Sequence, residues 1–538
     1  LTRRTLVKTP VPNWSTAGNW SFNQGAPGET TVVNRIPRSY DNVYIPDGLT
    51  TYPTISGTAS ARELTIADGA SLNMTAGTLT VGWSWEDNGG FNATGGTVVF
   101  AGPIGVKVTS SSAFQNVQIG TGSDTSIVTL EGNLDIDGNL HIQAGARFDA
   151  GAYSINLAGN WTEDDATGFI ASGTSTVIFD GTNQTVNKVT NISLLNEDFS
   201  EGDGQPCCNS IYLPTSWTAE EDIAWYGGEL FSDGDAFSSG NGWLHSPAVW
   251  LNSGITYTIT FDFDQFQGSD TLRVYYGSAA SSSSMTNSIG TVTATGSPEF
   301  TFSVPSSGTY YIGFHHDGAS SSYMDNVQLT GMSGLNFYNL HVSSGTVTLN
   351  AATVIDNNLQ TDNGGTVDCL TNSVTVEGTV TNNGAIKQTK TVASSTTTAL
   401  GTIKNAAGTN SKYYGLEITP SSGSMGETTV EIKGNQTCSG SGIPAAGVKR
   451  CYTVTPASSQ TADIKFYYRS AESNSNTTPD VYLQTGGSWT AQATSVHGGS
   501  NEAIWATGSG LTNYGTFSLS SGEPSGSTGF LPAIFLLL

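Results

Sequence analysis

Short apolar runs rich in β-branched residues recur along the whole chain and alternate with turns rich in Gly, Asn and Asp. Thr97–Phe100 and Thr176–Phe179 are two such runs. The turns follow one another at intervals of about 8 to 12 residues, a spacing typical of all-β proteins. No apolar pattern with the 3.6-residue period of a helix extends over a dozen residues, so we expect few helices.

A repeat of longer period is superimposed on these strands. The stretch 64–100 matches the stretch 140–179 at an offset of about 76 to 79 residues, with Trp85 and Trp161 at equivalent positions. Such repeats favour a right-handed β-solenoid, in which each coil stacks on the previous one and buries a continuous apolar column. The alternative permitted by the same alternation is a pair of β-sandwiches built from meanders.

The repeat is interrupted in its middle. Phe114–Ile119 is echoed by Phe337–Val342, and each segment is followed by a Gly/Ser turn and a Val-Thr-Leu strand. This offset exceeds 200 residues, which is explained if about 135 residues are inserted between Thr190 and Gly334.

The inserted segment has a strand pattern of its own. It opens with Asn196–Ser200, continues through Tyr257–Phe263 and closes with Gly308–Phe314 and Met324–Leu329. In this order the motifs resemble the jelly-roll modules called cleaved-adhesin or choice-of-anchor J domains, relatives of the MAM and carbohydrate-binding jelly rolls. The resemblance implies a jelly-roll β-sandwich and leaves adhesion, glycan binding and a purely structural role open.

Both flanks resemble parts of large bacterial surface proteins. The segment Asn13–Pro46, with Asn-Trp and Asp-Asn-Val-x-Ile-Pro motifs, resembles the opening that caps the first coils of secreted β-solenoid proteins. After Val392, the strands Gly447–Pro456 and Ala462–Tyr468 predict an antiparallel β-sandwich. They resemble a C-terminal module of cell-surface proteins of environmental bacteria, which implies location rather than chemistry.

The predicted fold class is all-β: a right-handed β-solenoid interrupted by an inserted jelly-roll β-sandwich, followed by a C-terminal β-sandwich and a terminal apolar strand. The predicted segments are an N-terminal strand and solenoid cap (1–60), the first part of the solenoid (61–193), the inserted jelly-roll domain (194–332), the second part of the solenoid (333–391), the C-terminal β-sandwich (392–521), and a linker with the terminal strand (522–538).

The terminal strand is the most apolar stretch of the chain and follows a Gly/Ser-rich linker, 520–529. Its burial would be worth about 10–20 kcal/mol as an upper bound. It is too short for a membrane-spanning helix and suits one long strand, which we expect to pack against the chain itself or a neighbouring copy. The candidate assembly residues are Phe530, Leu531, Ile534, Phe535, Leu536, Leu537 and Leu538, together with the basic Arg3, Arg4 and Lys8, which an acidic neighbour would attract.

The composition is acidic and polar. Of the 538 residues, 44 are Asp or Glu and 19 are Lys or Arg, a formal charge of −25, which argues against nucleic acid as a partner. Abundant Gly, Ser, Thr and Asn indicate an extracellular protein. Because the chain does not start with Met, we expect the numbering of a form processed by removal of a signal peptide.

Five cysteines are too few for a disulfide scaffold. Cys438 and Cys451 flank a short connection, and we expect them to form a disulfide that closes a loop of about 14 residues and is worth about 3 kcal/mol. The pairing of Cys207, Cys208 and Cys369 stays open.

An enzyme on such a solenoid would need paired carboxylates or a basic residue in one groove. Glu86–Asp87 and Glu163–Asp165 each follow a Trp at equivalent repeat positions, and solvated turn residues are their simpler interpretation. His315–Asp317 could bind a metal, but no second cluster at metal-ligand spacing accompanies it. We therefore expect a protein that is not an enzyme.

Calcium is the one cofactor that the jelly-roll resemblance implies. In such modules a structural Ca²⁺ often joins an acidic residue near the first strand to the Asp of the last strand. The corresponding residues here are Glu197 or Asp198 and Asp325, and carboxylate oxygens suit Ca²⁺. Ordinary loop carboxylates are the alternative.

Three functions are compatible with these patterns. The first is a structural extracellular protein that self-assembles into a surface filament or layer, through donation of a terminal strand or end-to-end stacking of open solenoid ends. The second is a monomeric adhesin or glycan-binding protein whose jelly roll is the binding module. The third is a polysaccharide-processing enzyme. The apolar tail favours the first, with further copies of the chain as partners.

Overall fold

The computed structural model describes most of the chain in two compact units. One unit comprises Leu1–Glu163, Gly168–Asn187 and Leu335–Leu538, and the other comprises Asp164–Thr167 and Lys188–Gly334. The described residues are 3–6, 13–23, 32–102, 105–122, 125–164, 168–171, 173–188, 192–199, 213–214, 216–220, 225–229, 234–238, 241–251, 256–265, 271–305, 308–318, 322–332, 334–440, 442–444 and 446–522.

Short strands joined by tight turns make up the N-terminal part of the first unit. They are β1 (Arg3–Leu6), β2 (Trp20–Asn23), β3 (Val32–Val33), β4 (Asn42–Ile45), β5 (Thr54–Ile55), β6 (Thr58–Ile66), β7 (Ser71–Met74), β8 (Thr78–Asp87), β9 (Gly90–Ala93), β10 (Thr97–Phe100), β11 (Val106–Ser110), β12 (Asn116–Ile119), β13 (Ile127–Leu130), β14 (Leu134–Ile136), β15 (Leu140–Ile142), β16 (Arg147–Asp149), β17 (Ser154–Leu157), β18 (Trp161–Glu163), β19 (Phe169–Ile170), β20 (Thr176–Phe179) and β21 (Asn183–Lys188).

From β4 onward these strands stack in parallel, and together with the strands that follow the insertion they form a β-solenoid of about 13 turns. One ladder runs through β6, β8, β10, β12, β15, β18 and β21, and a second runs through β4, β6, β8, β11, β13, β16 and β19. A third side consists of β5, β7 and β9 and then of β14, β17 and β20. In the first ladder Leu79, Val98, Val117, Leu140 and Trp161 lie in register, and all five side chains are buried. The repeat seen in the sequence therefore forms a continuous apolar column.

The second unit is a β-sandwich with its own apolar core. Its strands, beginning where the chain leaves the solenoid, are β22 (Ile192–Glu197), β23 (Thr218–Glu220), β24 (Trp225–Glu229), β25 (Gly234–Ser238), β26 (Gly242–His245), β27 (Val249–Leu251), β28 (Thr256–Gln265), β29 (Thr271–Gly277), β30 (Asn287–Val292), β31 (Glu299–Phe302), β32 (Gly308–Asp317) and β33 (Ser322–Met332). They form two six-stranded antiparallel sheets, one containing β22, β24, β25, β28, β31 and β33 and the other β23, β26, β27, β29, β30 and β32.

The solenoid then resumes where it stopped. Its later strands are β34 (Leu335–Phe337), β35 (Asn339–Val342), β36 (Gly345–Leu349), β37 (Thr353–Ile355), β38 (Leu359–Thr361), β39 (Gly365–Asp368), β40 (Val374–Val376), β41 (Val380–Asn382) and β42 (Ala385–Val392). Strand β35 pairs in parallel with β20, and β36 pairs in parallel with β21. Consecutive coils therefore stack across the insertion point as if the chain were uninterrupted.

A C-terminal β-sandwich completes the first unit. Its strands are β43 (Thr398–Leu400), β46 (Leu416–Pro420), β47 (Gly426–Gly434), β48 (Arg450–Pro456), β49 (Ala462–Tyr468), β50 (Asp480–Thr485), β51 (Ser488–Ala491), β52 (Thr494–Gly498), β53 (Ile504–Leu511) and β54 (Thr516–Ser520). The intervening β44 (Ile403–Lys404) and β45 (Ser411–Tyr413) extend the solenoid sheet of β34, β37 and β40. One sheet contains β43, β46, β49, β53 and β52, and the other joins β47, β48, β54, β50 and β51 to the solenoid. The helical elements among the described residues are three 3₁₀ turns, Ala17–Asn19, Ser282–Ser284 and Ser470–Glu472.

Other strands of the same chain pair with the first and last coils of the main sheet. At the start, β1 pairs in parallel with β4 and antiparallel with β2. At the end, β42 pairs in parallel with β39 on one edge and antiparallel with β47 on the other. The first and last coils of this sheet are therefore covered by strands of the same chain, and at the N-terminal end this cap lies in the segment predicted as one, 1–60.

The predicted fold class is confirmed for the described residues: all-β, a β-solenoid interrupted by a jelly-roll sandwich, and a C-terminal β-sandwich. The predicted terminal strand, residues 530–538, lies outside the described residues. Within the part of the chain that the structure describes, no helix is long and apolar enough to cross a membrane.

Candidate functional site

The outer face of one sheet of the inserted domain carries an aromatic cluster. Because side chains alternate along β26 and β32, Leu244 and Phe314 are buried in the core, whereas Trp243 and His315 lie on the opposite face and are half-buried. Tyr275 of the neighbouring strand β29 lies on the same outer face. We call Trp243, His315 and Tyr275 the Trp243 platform.

The rings of the platform are packed against one another. The centroids of Trp243 and His315 are 4.4 Å apart with an interplanar angle of 20°, which is a stacked arrangement. The Tyr275 ring is tilted by 47° at a centroid distance of 5.3 Å from Trp243. This packing holds three planar side chains in fixed positions on a partly exposed surface.

Polar groups surround the platform. The Nε2 atom of His315 lies 2.8 Å from Oδ1 of Asn241, a hydrogen-bond distance. Arg273, directly opposite His315 in the register of β29 and β32, forms a 3.1 Å ion pair with Asp317. An aromatic surface with adjacent amide, guanidinium and carboxylate groups can bind a ligand that has both apolar and hydroxyl-bearing faces.

A buried histidine supports the platform at its inner edge. The imidazole of His245 stacks on Trp243 with a centroid distance of 5.9 Å and is fully buried. Among the described residues neither of its ring nitrogens has a hydrogen-bond partner, and the carboxylate of Glu220 lies 3.8 Å from Nε2. Burial lowers the pKa of His245 and thus favours the neutral ring. The pKa of Glu220 is lowered chiefly by hydrogen bonding from Ser282, whose backbone N–H donates to Oε2 at 2.7 Å.

Strand alternation separates the candidate metal ligands at 315–317. His315 belongs to the platform, whereas His316 is buried and lies 3.0 Å from the Oγ atom of Ser322. Asp317 is paired with Arg273. The three side chains therefore do not converge on one point.

The candidate catalytic carboxylates prove to be partly structural. Asp87 is buried and accepts hydrogen bonds from Gly89 N at 3.2 Å and from the Ser110 hydroxyl at 3.2 Å. Glu163 is buried and accepts a 2.9 Å hydrogen bond from the backbone N–H of Phe169. The interpretation of these two residues as solvated turn residues was wrong, because both point into the coil and bind its backbone or hydroxyl groups.

The other residues of these clusters differ in position. Glu86 is exposed, Asp164 is half-buried, and Asp165 lies outside the described residues. Trp85 and Trp161, which precede the two clusters, are both fully buried in the solenoid core.

The predicted calcium ligands lie on neighbouring strands. Glu197 of β22 is opposite Val327 of β33, two residues from Asp325. Its two carboxylate oxygens accept hydrogen bonds from Phe199 N at 3.0 Å and from the Trp217 indole at 3.1 Å. No group of three or more His, Cys, Asp and Glu side chains suited to a metal occurs among the described residues. Calcium binding by these carboxylates stays a prediction.

The remaining predicted site residues have different positions. Asp198 follows β22 directly and is exposed. Arg3 and Arg4 lie in β1, whose backbone pairs with β4. Lys8, Cys207, Cys208 and the seven tail residues lie outside the described residues.

The cysteines of the first unit are in two states. Cys438 and Cys451 form a disulfide, the pairing that the sequence favours, with a Cα–Cα distance of 4.9 Å. Cys369 is a buried free thiol.

Comparisons with known proteins found similar chains among solved structures. No protein-family model and no curated protein matches the chain. Similar solved structures include the K3 and K1 cleaved adhesin domains of Lys-gingipain from Porphyromonas gingivalis, with 22% and 20% identity, each covering 26% of this chain and 98% of the domain at a TM-score of 0.21. The CBM22-1 xylan-binding domain of Xyn10C from Paenibacillus barcinonensis is 11% identical and covers 27% of this chain and 97% of its own, at a TM-score of 0.21. These neighbours are adhesin and carbohydrate-binding modules.

Sequence reasoning missed the Trp243 platform. The sequence features that could have indicated it are the alternation Trp-Leu-His at 243–245 and the two adjacent histidines near the end of β32. Which of these residues share a face depends on the register of three strands that are far apart in the sequence.

Proposed function

We propose that this protein is a secreted, non-enzymatic surface adhesin whose inserted jelly-roll domain binds a glycan on the Trp243 platform. The observation that carries the proposal is the stacked, half-buried pair of Trp243 and His315 beside Tyr275 on the outer face of a rigid sheet. The apolar face of a sugar ring packs well on an aromatic ring, and the polar groups at the edge of the platform can bind its hydroxyls.

We favour an adhesin over a self-assembling filament. The first and last coils of the main solenoid sheet pair with further strands of the same chain, which supports ends that are capped at this sheet. Strand donation by residues 530–538 remains a separate hypothesis. Sedimentation of a variant that lacks residues 523–538 tests this hypothesis. If the variant still forms the same polymers as the full chain, the tail has no role in assembly.

We also favour a binding protein over an enzyme. Two of the candidate catalytic carboxylates, Asp87 and Glu163, are engaged by backbone or hydroxyl donors of the solenoid. Neither is available to activate water or a leaving group, because general acid–base catalysis needs a side chain within reach of the substrate.

A glycan array with the full chain and its Trp243→Ala variant tests the proposed site. We expect the wild-type chain to bind a defined set of glycans and the variant to lose at least about tenfold in affinity for them. Trp250→Ala is the matched control, because this half-buried indole pairs opposite Thr309, about 20 Å along β32 from His315. Equal binding by wild type and Trp243→Ala, or no binding by the wild type, would exclude the platform as a glycan site.

A further inference from the structure

A second groove lies on the solenoid, at the corner between its first two ladders. It has a volume of about 410 Å³ and is lined by Ser39–Tyr40, Ala61–Arg62, Gly82–Trp83 and Ala101–Gly102. These pairs belong to four successive layers, and adjacent layers are about 4.8 Å apart. The groove therefore extends for about 14 Å along the axis of the solenoid.

Bulges in the strands create this corner. The pairing of β6 with β8 shifts register between Ala61 and Glu63, so that Arg62 lies opposite the dipeptide Gly82–Trp83. A bulge redirects the side chains next to it. Backbone hydrogen bonds fix the layers, with Arg62 N donating to Asp41 O at 2.7 Å.

Aromatic and guanidinium groups form the walls. The Tyr40 ring is 58% exposed, and its hydroxyl accepts a 2.7 Å hydrogen bond from Nη1 of Arg38. The guanidinium carbon of Arg62 lies 3.8 Å from the centroid of the Trp83 ring. Such a cation–π contact holds the guanidinium plane in position and leaves its edge available for hydrogen bonds.

Guanidinium groups lie at the groove although the chain is strongly acidic. Arg62 lines it, and Arg38 lies beside it through its hydrogen bond to the Tyr40 hydroxyl. Asp41 is buried and paired with Arg35 at 2.8 Å. No carboxylate of the described residues lies within ion-pair distance of Arg38, and Arg62 has only a 3.9 Å contact with Glu63, a surface pair of little strength.

We propose that this groove binds a segment of a carboxylated polysaccharide, a chain of uronate residues. The exposed ring of Tyr40 contacts the apolar face of a sugar, and Arg38 and the Trp83-supported Arg62 bind the carboxylates, the anion geometry that guanidinium groups prefer. The volume lies in the range of small-ligand sites, about 300–1,000 Å³. An acidic surface of a second copy fits less well, because a stable protein interface needs about 800 Å² from each partner.

Calorimetric titration of the full chain with a hexamer of galacturonate tests this proposal, with the methyl-esterified hexamer as the neutral probe. We expect the acid to bind at least about tenfold more tightly than the ester, with an affinity that falls as salt is added. The double variant Arg38→Gln/Arg62→Gln should bind both probes equally. Arg147→Gln removes a guanidinium from another part of the solenoid and should bind as wild type.

Gly82→Leu provides a test that is independent of charge. A Cβ at position 82 meets nothing closer than 3.5 Å, so the larger side chain projects into the groove without a backbone clash. We expect this variant to lose binding of the acid hexamer by at least about tenfold while its melting temperature stays near that of the wild type. If Gly82→Leu does not fold, binding by the Arg38→Gln/Arg62→Gln variant is sufficient to test the proposal.

Three results would overturn the proposal. In the first, the wild type does not bind the acid hexamer at all, and in the second, the double arginine variant binds it as tightly as the wild type does. In the third, the arginine substitutions change the sedimentation coefficient of the protein but not its binding of the hexamer. The last result would assign the groove to contacts between copies. Trp243→Ala should leave uronate binding intact, which separates this proposal from the glycan site of the inserted domain.

Discussion

Arg450 and Glu472 form an ion pair in the interior of the C-terminal β-sandwich, with 2.5 Å between Nη2 and Oε2 and side-chain exposures of 0% and 7%. The contact is an ion pair and not a well-aligned hydrogen bond. The Nη1 atom of Arg450 also donates to the backbone carbonyls of Tyr414 and Tyr467, at 2.7 Å each. A buried charge of this kind is tolerated only while its partner remains ionised.

Glu472→Gln should therefore destabilise the first unit by about 3–5 kcal/mol, because it leaves the Arg450 charge buried without a counterion. The measurement is urea unfolding of the full chain followed by tryptophan fluorescence. Glu502→Gln is the matched control, since it breaks the pair of Arg469 with the largely exposed Glu502 and should cost less than about 1 kcal/mol. Similar losses in the two variants would contradict the prediction.

The disulfide between Cys438 and Cys451 should contribute about 3 kcal/mol. Both sulfurs belong to residues packed with Tyr482 and Trp489 in a small apolar cluster, so that replacement by Ser also places hydroxyls in an apolar site. Double replacement by Ala removes the crosslink without adding a polar group. We expect the melting temperature of this variant to match that of the wild type under reductant and to lie below that of the oxidised wild type.

Cys369 should not react with thiol reagents in the folded protein. Burial raises the pKa of its thiol to about 12, so the thiolate fraction at pH 8 is very small, and the sulfur is inaccessible. Labelling of the Cys207→Ser/Cys208→Ser variant with iodoacetamide, followed by mass spectrometry, isolates this thiol. We expect labelling only after denaturation, and rapid labelling of the native chain at pH 8 would show that the site opens.

The inserted domain should lose stability on acidification through His245. The folded pKa of His245 lies below its ordinary value of 6.5, so the unfolded chain binds the proton first as the pH falls. The full stability is therefore present above about pH 6.5 and declines below it, toward the folded pKa. Glu220 opposes this loss only in part, because its carboxylate is 3.8 Å from Nε2 of His245.

Calorimetry of the full chain at pH 7.5 and pH 5.0 measures this effect. His245→Phe keeps a planar ring against Trp243 but cannot titrate, and we expect its pH dependence to be smaller than that of the wild type. His497→Phe, a change at a half-buried histidine of the other unit, is the control and should leave the transition of the inserted domain unchanged. An equal pH dependence in wild type and His245→Phe would assign the effect to other groups.

The local alternation and the 76-residue repeat were sufficient to predict the strands and the stacked coils of the solenoid. The roles of Asp87 and Glu163 were not predictable, because the sequence does not show which backbone and hydroxyl groups the folded coils place beside a carboxylate. The groove at Tyr40, Arg62 and Trp83 was not predictable for the same reason. Its residues are about 20 positions apart in the sequence. They become neighbours only because each coil stacks on the previous one.

Gly82 and Gly102 lie in consecutive layers of this corner and should respond differently to the same substitution. A Cβ at Gly102 would lie 1.8 Å from the carbonyl oxygen of Gly82, whereas a Cβ at Gly82 would lie 3.5 Å from that of Ala101. The first contact is with backbone and cannot be relieved by a change of rotamer, so the coils must separate. Gly102→Ala should cost about 1–3 kcal/mol, and Gly82→Ala should stay within about 0.5 kcal/mol of the wild type. Urea unfolding of the two variants compares them directly, and equal stabilities would mean that the coils are not packed as closely as described.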